Sequence, residues 1–274
     1  MVSTTSLIAM CITLIVCLIG PILLAVIFLY KNRPKPGVAS LFAGAGTFIL
    51  FALILEQILH YLVLQVIPGL GTAIMGNTFL MALYGSLAAG IFEETGRFTV
   101  MTLILRKSRE WKHGVAFGIG HGGIEAIILV GLTSINNIVY SLMINSGSFD
   151  LILKSSPASA QEALIAAKDG LINTASWLFA FSSVERIFTV VFHIAMSVLV
   201  LYAVRSKKIR FFFLAIFLHF LLDFPAAFYK DGTLPLWALE VFVGLFGVAS
   251  LIFIIRAKKV FEKLPALVTE APES

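Results

Sequence analysis

Long apolar runs dominate the chain, and polar residues collect in the short stretches between them. Read run by run, the pattern predicts seven helices, over residues 5–30, 38–66, 78–105, 114–146, 174–204, 210–229 and 234–256. Each reaches the roughly 20 residues that cross a ~30 Å hydrocarbon core. The short alternating segments of an outer-membrane barrel are absent. The expectation is an all-α polytopic membrane protein, a single integral membrane domain over 1–274.

Composition agrees with this. Hydrophobic residues make up 59% of the chain and charged residues 13%, against about a quarter charged in soluble domains. The opening MVSTTSL has no basic region ahead of a short apolar stretch, so the first run is read as a retained span rather than a cleaved signal. The net charge of +5 resides largely at span ends and does not point to nucleic acid. Lys31, Arg33 and Lys35, then Arg106, Lys107, Arg109 and Lys112, then Arg205, Lys207, Lys208 and Arg210, then Arg256, Lys258, Lys259 and Lys263 fall on one side of the seven-helix pattern. Lys154, Lys168 and Lys230 fall on the other. Positively charged loops stay inside, so the N-terminus is expected outside and the C-terminus in the cytoplasm.

The one sizeable outer connection, 147–173, contains "SAQEALIAAKDG". This reads as a short amphipathic helix, with Ser159 and Glu162 as a capping box and Gly170 as its stop. Cys11 and Cys17 share the first run but not one helix face, and are read as small buried side chains.

Ionisable residues inside the spans change the picture. A charge at the bilayer centre costs about 2.5–3.5 kcal/mol on insertion scales, so it needs a partner, a wet cavity or a function. Counting from the nearest basic residue at a span end sets each one's depth. Glu93, Glu94, His121, Glu125, His193, His219 and Asp223 all fall roughly 14–20 Å in, at about 1.5 Å per residue. Four helices thus bring carboxylates or imidazoles to one level. Glu56, His60, Glu185, Arg186 and Glu240 count nearer the outer face. His121 and Glu125, His219 and Asp223, and Glu93 and Arg97 are each four residues apart, on common helix faces. Gly114, Gly118 and Gly122 form a row of small residues suited to close helix approach, and Gly85 and Ala89 lie in line with Glu93 and Arg97.

Adjacent carboxylates can exchange protons, imidazoles can orient water or bind metal, and Arg97 can neutralise a carboxylate. The set suits hydrolysis by an activated water. The soluble HExxH zinc pattern is absent, but histidines from three helices could hold a divalent metal such as zinc, with a carboxylate as base.

The segments "EETGR", "FGIGH" and "HFLLD" resemble the CPBP superfamily of intramembrane proteases, which includes the type II CAAX prenyl endopeptidases and PrsW-type peptidases. "EExxR", "HGGxE" and "HxxxD" on successive helices resemble its YhfC-like membrane peptidase branch. The resemblance covers about 78–229 and implies catalytic residues Glu93, Glu94, Arg97, His121, His219 and Asp223. Glu93 would be the general base, His121 and His219 would orient water or stabilise the oxyanion, and Asp223 would orient His219. Two departures stand out: Arg97 comes one residue earlier than in the CAAX enzymes, and Asp223 replaces their Asn. His193 and Glu125 lie outside the shared pattern and could complete a metal site with His121 and His219. The implied function is an intramembrane endopeptidase of a bacterial plasma membrane, acting on a membrane protein or peptide substrate within the lipid bilayer. A proton-coupled transporter and a non-catalytic membrane binding or immunity protein are the alternatives.

Overall fold

A computed structural model describes residues 1–33 and 37–265. Lys35, counted above among the basic residues, lies outside them. The elements are helices: α1 (Thr4–Lys31), α2 (Val38–Val66), α3 (Leu70–Met75), α4 (Thr78–Leu103), α5 (Trp111–Ser146), α6 (Phe149–Ser155), α7 (Ala158–Asn173), α8 (Ser176–Ser206), α9 (Arg210–Asp223), α10 (Ala226–Lys230) and α11 (Leu236–Glu262). Among the described residues, six helical stretches are long and apolar enough to cross a membrane: α1, α2, α5, α8, α9 with α10, and α11. The seventh predicted span, α4, is 26 residues long and carries Glu93, Glu94 and Arg97. Their charges set it apart from the other six.

The exposed side chains of α1, α2 and α11 are largely Ile, Leu, Val and Phe. That is the surface a bilayer requires, since lipid-facing helices satisfy their own backbone polar groups and offer apolar side chains outward. The apolar window of α8 is 72% buried, against 11–28% for the other five. Its residues Phe192, Ala195, Val198, Val200 and Leu201 are nearly inaccessible.

The chain divides into two compact units. The first comprises Met1–Leu23 and Glu125–Ile187. Its N-terminus is tied to the end of α5, where Val2 N–H donates to Asn145 Oδ1 at 2.7 Å and Asn145 Nδ2 donates to the Val2 carbonyl at 2.9 Å. Val2, Met10 and Leu171 form a small core beneath Ile138, Tyr140, Ile144 and Phe179. The expected capping box is not used. α7 begins at Ala158 after Pro157, with no side-chain cap, and runs through Gly170 to Asn173. Pro157 stands at the N-cap position, with extended backbone just ahead of the first helical residue. Cys17 is buried as expected, but Cys11 is exposed on α1.

The second unit comprises Leu24–Ile124 and Phe188–Ser274, of which the described residues end at Pro265. Small residues set its helix crossings. A Cβ on Gly44 would lie 2.0 Å from the Phe117 carbonyl oxygen, and one on Gly120 would lie 1.8 Å from that of Leu41, so α2 and α5 touch backbone to backbone. The predicted glycine row also meets a helix. Gly118 faces Ile194 and Gly122 faces Val190 and His193 on α8. Gly90, not singled out in the sequence, lets α4 approach the Ile216 carbonyl and His219 on α9. Gly85 behaves differently, with nothing within 4 Å of where its Cβ would stand.

Candidate metal and active centre

Glu93, Glu94 and Arg97 occupy consecutive turns of α4, and all three are buried. The small residues around them explain how the other helices come close enough for short side chains to meet. His121 stands on α5, His193 on α8 and His219 on α9. All six belong to the second unit.

Arg97 has no solvent-exposed surface. Its Nη1 pairs with Glu94 Oε1, and its Nη2 lies 3.3 Å from Glu93 Oε2. Nη2 also donates to His193 Nδ1 at 2.7 Å. One guanidinium fork thus joins both carboxylates of α4 to an imidazole of α8. Arginine's planar set of donors suits this task, where lysine would offer a single point charge. The spacing departure noted in the sequence leaves Arg97 facing both glutamates.

His121 Nε2 lies 2.8 Å from Glu93 Oε2, and His193 Nδ1 lies 3.7 Å from the same oxygen. The His121 and His193 rings are 5.3 Å apart. Glu93, His121 and His193 each present a ligand atom, and these atoms lie within 4.8 Å of one another. A carboxylate and two imidazoles are the donor set of several hydrolytic zinc sites that keep a further position open. His193 Nδ1 accepts from Arg97 Nη2, so its single lone pair is engaged there and a metal bound at that nitrogen would displace the guanidinium. With that exchange, the carboxylate and two imidazoles fit a divalent cation.

His219 serves the second glutamate. Its Nδ1 lies 2.7 Å from Glu94 Oε1, and its Nε2 faces Asp223 Oδ2 at 3.5 Å and Glu93 Oε1 at 3.9 Å. Phe192 packs edge-on against both His193 and His219, fixing their ring planes. Glu94 Oε2 is buried and accepts no hydrogen bond from the protein.

Glu93, Glu94, Arg97, His121, His193 and His219 converge, and Asp223 joins through His219. Among the described residues, the group able to hold a metal contains Glu93 and lacks His219 and Glu125. Glu125 lies in the first unit, where Arg186 Nη1 donates to its Oε1 at 2.9 Å and Arg186 also pairs with Glu185. A second polar string joins α2 to α4. His60 Nδ1 lies 2.8 Å from Tyr84 Oη, and His60 Nε2 lies 3.2 Å from the buried Glu56. Tyr84 carried no sequence signal, because one tyrosine in an apolar helix is ordinary.

A family model described as YhfC intramembrane metalloprotease matches residues 15–243. The chain is 38% identical over 234 residues to "Uncharacterized membrane protein YhfC" of Bacillus subtilis (strain 168), covering 85% of this chain and 90% of that protein. No solved structure matches.

Proposed function

The chain belongs to the YhfC intramembrane metalloprotease family, and we propose that it is an endopeptidase that hydrolyses peptide bonds of membrane-embedded or membrane-adjacent substrates. The observation that carries this reading is the meeting of Glu93, His121 and His193 beside a second glutamate, Glu94, with one unengaged oxygen.

In this reading Glu93, His121 and His193 hold a divalent metal such as zinc. A metal held there supplies Lewis-acid polarisation and a more acidic bound water. The remaining chemistry belongs to the chain's own groups. Arg97 and His219 both bind Glu94 Oε1, which directs the other oxygen, Oε2, to act as base. Glu94 Oε2 takes a proton from water as the water oxygen forms a bond to the scissile carbonyl carbon. The C–N bond then breaks, and the proton passes to the leaving amine. One water is consumed, and a carboxyl and an amino terminus are produced. Asp223 orients His219 through Nε2. This assignment gives Glu93 the role of ligand and Glu94 that of base, where the resemblance alone implied Glu93 as base.

Glu94→Gln tests the reading. It should abolish cleavage of a membrane substrate while metal content persists, because loss of a general base costs about 10²–10⁴ in rate. Undiminished cleavage would remove Glu94 from the chemistry. The placement of basic residues supports an N-terminus outside and a C-terminus in the cytoplasm.

A further inference from the structure

A cavity of about 380 Å³ opens between α3, α4, α9 and α10. Its walls include Gly85 and Ser86 from α4, Asp223 at the end of α9, and Ala226 from α10, with Thr78, Lys230 and Asp231 at the helix ends. All belong to the second unit. The polar residues gather at the helix ends, while Met75, Met81, Ala82 and Ala227 make much of the remaining lining apolar. Asp231 braces this edge, accepting from Thr233 N–H at 2.9 Å, from the Thr233 hydroxyl at 2.7 Å and from the Thr78 side chain. These bonds hold the Asp231 carboxyl below the usual carboxylate range.

At its other side the cavity meets the centre through one residue. The Asp223 side chain is 39% exposed, whereas those of Glu93 and Glu94 are 8% and 0% exposed. Asp223 Oδ2 lies 3.5 Å from His219 Nε2, which lies 3.9 Å from Glu93 Oε1. A chain of polar contacts therefore links the cavity to the buried carboxylates: Asp223, then His219, then Glu93.

Resting on the proteolytic reading above, we infer that this cavity is the aqueous entrance for water and for an unwound peptide segment, and that Gly85 sets its clearance. An extended segment suits such an entrance, because extension frees the scissile carbonyl from its helical hydrogen bond. With nothing within 4 Å of its Cβ position, a side chain at Gly85 projects into open cavity rather than into the protein.

The test uses the full chain with Cys11 and Cys17 replaced. Ser86→Cys and Ala226→Cys should react with a charged, membrane-impermeant methanethiosulfonate applied to the face bearing Lys230. Leu245→Cys, on a side chain 65% exposed in an apolar surface of α11, should not. Gly85→Trp should abolish labelling of Ala226→Cys and cleavage of a quenched fluorescent peptide, while Gly85→Ala retains both. Cavity cysteines that react only with a lipid-permeant reagent, or Gly85→Trp that cleaves normally, would overturn the entrance. Labelling as expected without any cleavage by the wild type would support the aqueous path and remove the proteolytic reading.

Discussion

Arg97 Nη2 donates to His193 Nδ1 at 2.7 Å, from a side chain with no solvent-exposed surface. The same guanidinium pairs with Glu93 and Glu94. A cation among these groups balances two carboxylates in a place where unpaired charge is costly. It also marks His193 Nδ1 as the lone-pair nitrogen.

Removing that cation should be severe. Truncating one partner of a buried ion pair costs about 3–5 kcal/mol, so Arg97→Met should lower the melting temperature in detergent and the membrane yield. Arg97→Lys keeps charge without the fork and should fall between Arg97→Met and wild type. Added divalent metal should recover part of the Arg97→Met loss, because a metal among Glu93, His121 and His193 replaces the missing positive charge. Thermal melts with and without metal check both statements.

The crossing of α2 and α5 should tolerate no added carbon. Gly120→Ala and Gly44→Ala place a Cβ 1.8 and 2.0 Å from carbonyl oxygens, and overpacking typically costs about 1–3 kcal/mol. Since backbone must move here, the cost should reach the upper end of that range or exceed it. Gly46→Ala, with nothing within 4 Å, should melt like wild type. Equal melting of all three would contradict the close approach of these helices.

Glu125 and Arg186 form a pair of the first unit. Glu125→Gln should therefore lower stability by leaving a partly buried arginine short of a partner, with no loss of bound metal. Metal content that falls with Glu125→Gln would return Glu125 to the ligand set.

Seven long helices were legible in the apolar runs, with most ends within a few residues of those observed. α11 continues past the expected 256 to Glu262, because Lys258, Lys259 and Glu262 are good helix formers that a hydrophobicity reading excludes. Counting depth placed Glu93, His121, His193 and His219 at one level, and the fold brings them together. Depth gives height along a helix but no direction around it. Glu125 has the right height and shares a face with His121 by spacing, yet it pairs with Arg186. Gly85 likewise lines up with Glu93 and Arg97 by spacing, as a packing face would, yet it lines a cavity. The tight contacts at Gly44, Gly90 and Gly120 had no distinctive pattern, since glycines are common in membrane helices.

The roles of the two glutamates separate by what each loss removes. Glu93→Gln should lower both metal content and cleavage, and Glu94→Gln should lower cleavage alone. Metal analysis and peptide cleavage on the same purified samples distinguish this pattern from one in which Glu93 is the base.

The most direct measurement is divalent metal content per chain in purified protein, comparing wild type with His121→Ala, His193→Ala and Glu94→Gln, each shown by its melt to be folded. Wild type and Glu94→Gln should carry one ion, and the two histidine variants should lose it. Full occupancy in His121→Ala and His193→Ala, or a wild type that binds no divalent ion under saturating supply, would contradict a metal centre at Glu93, His121 and His193.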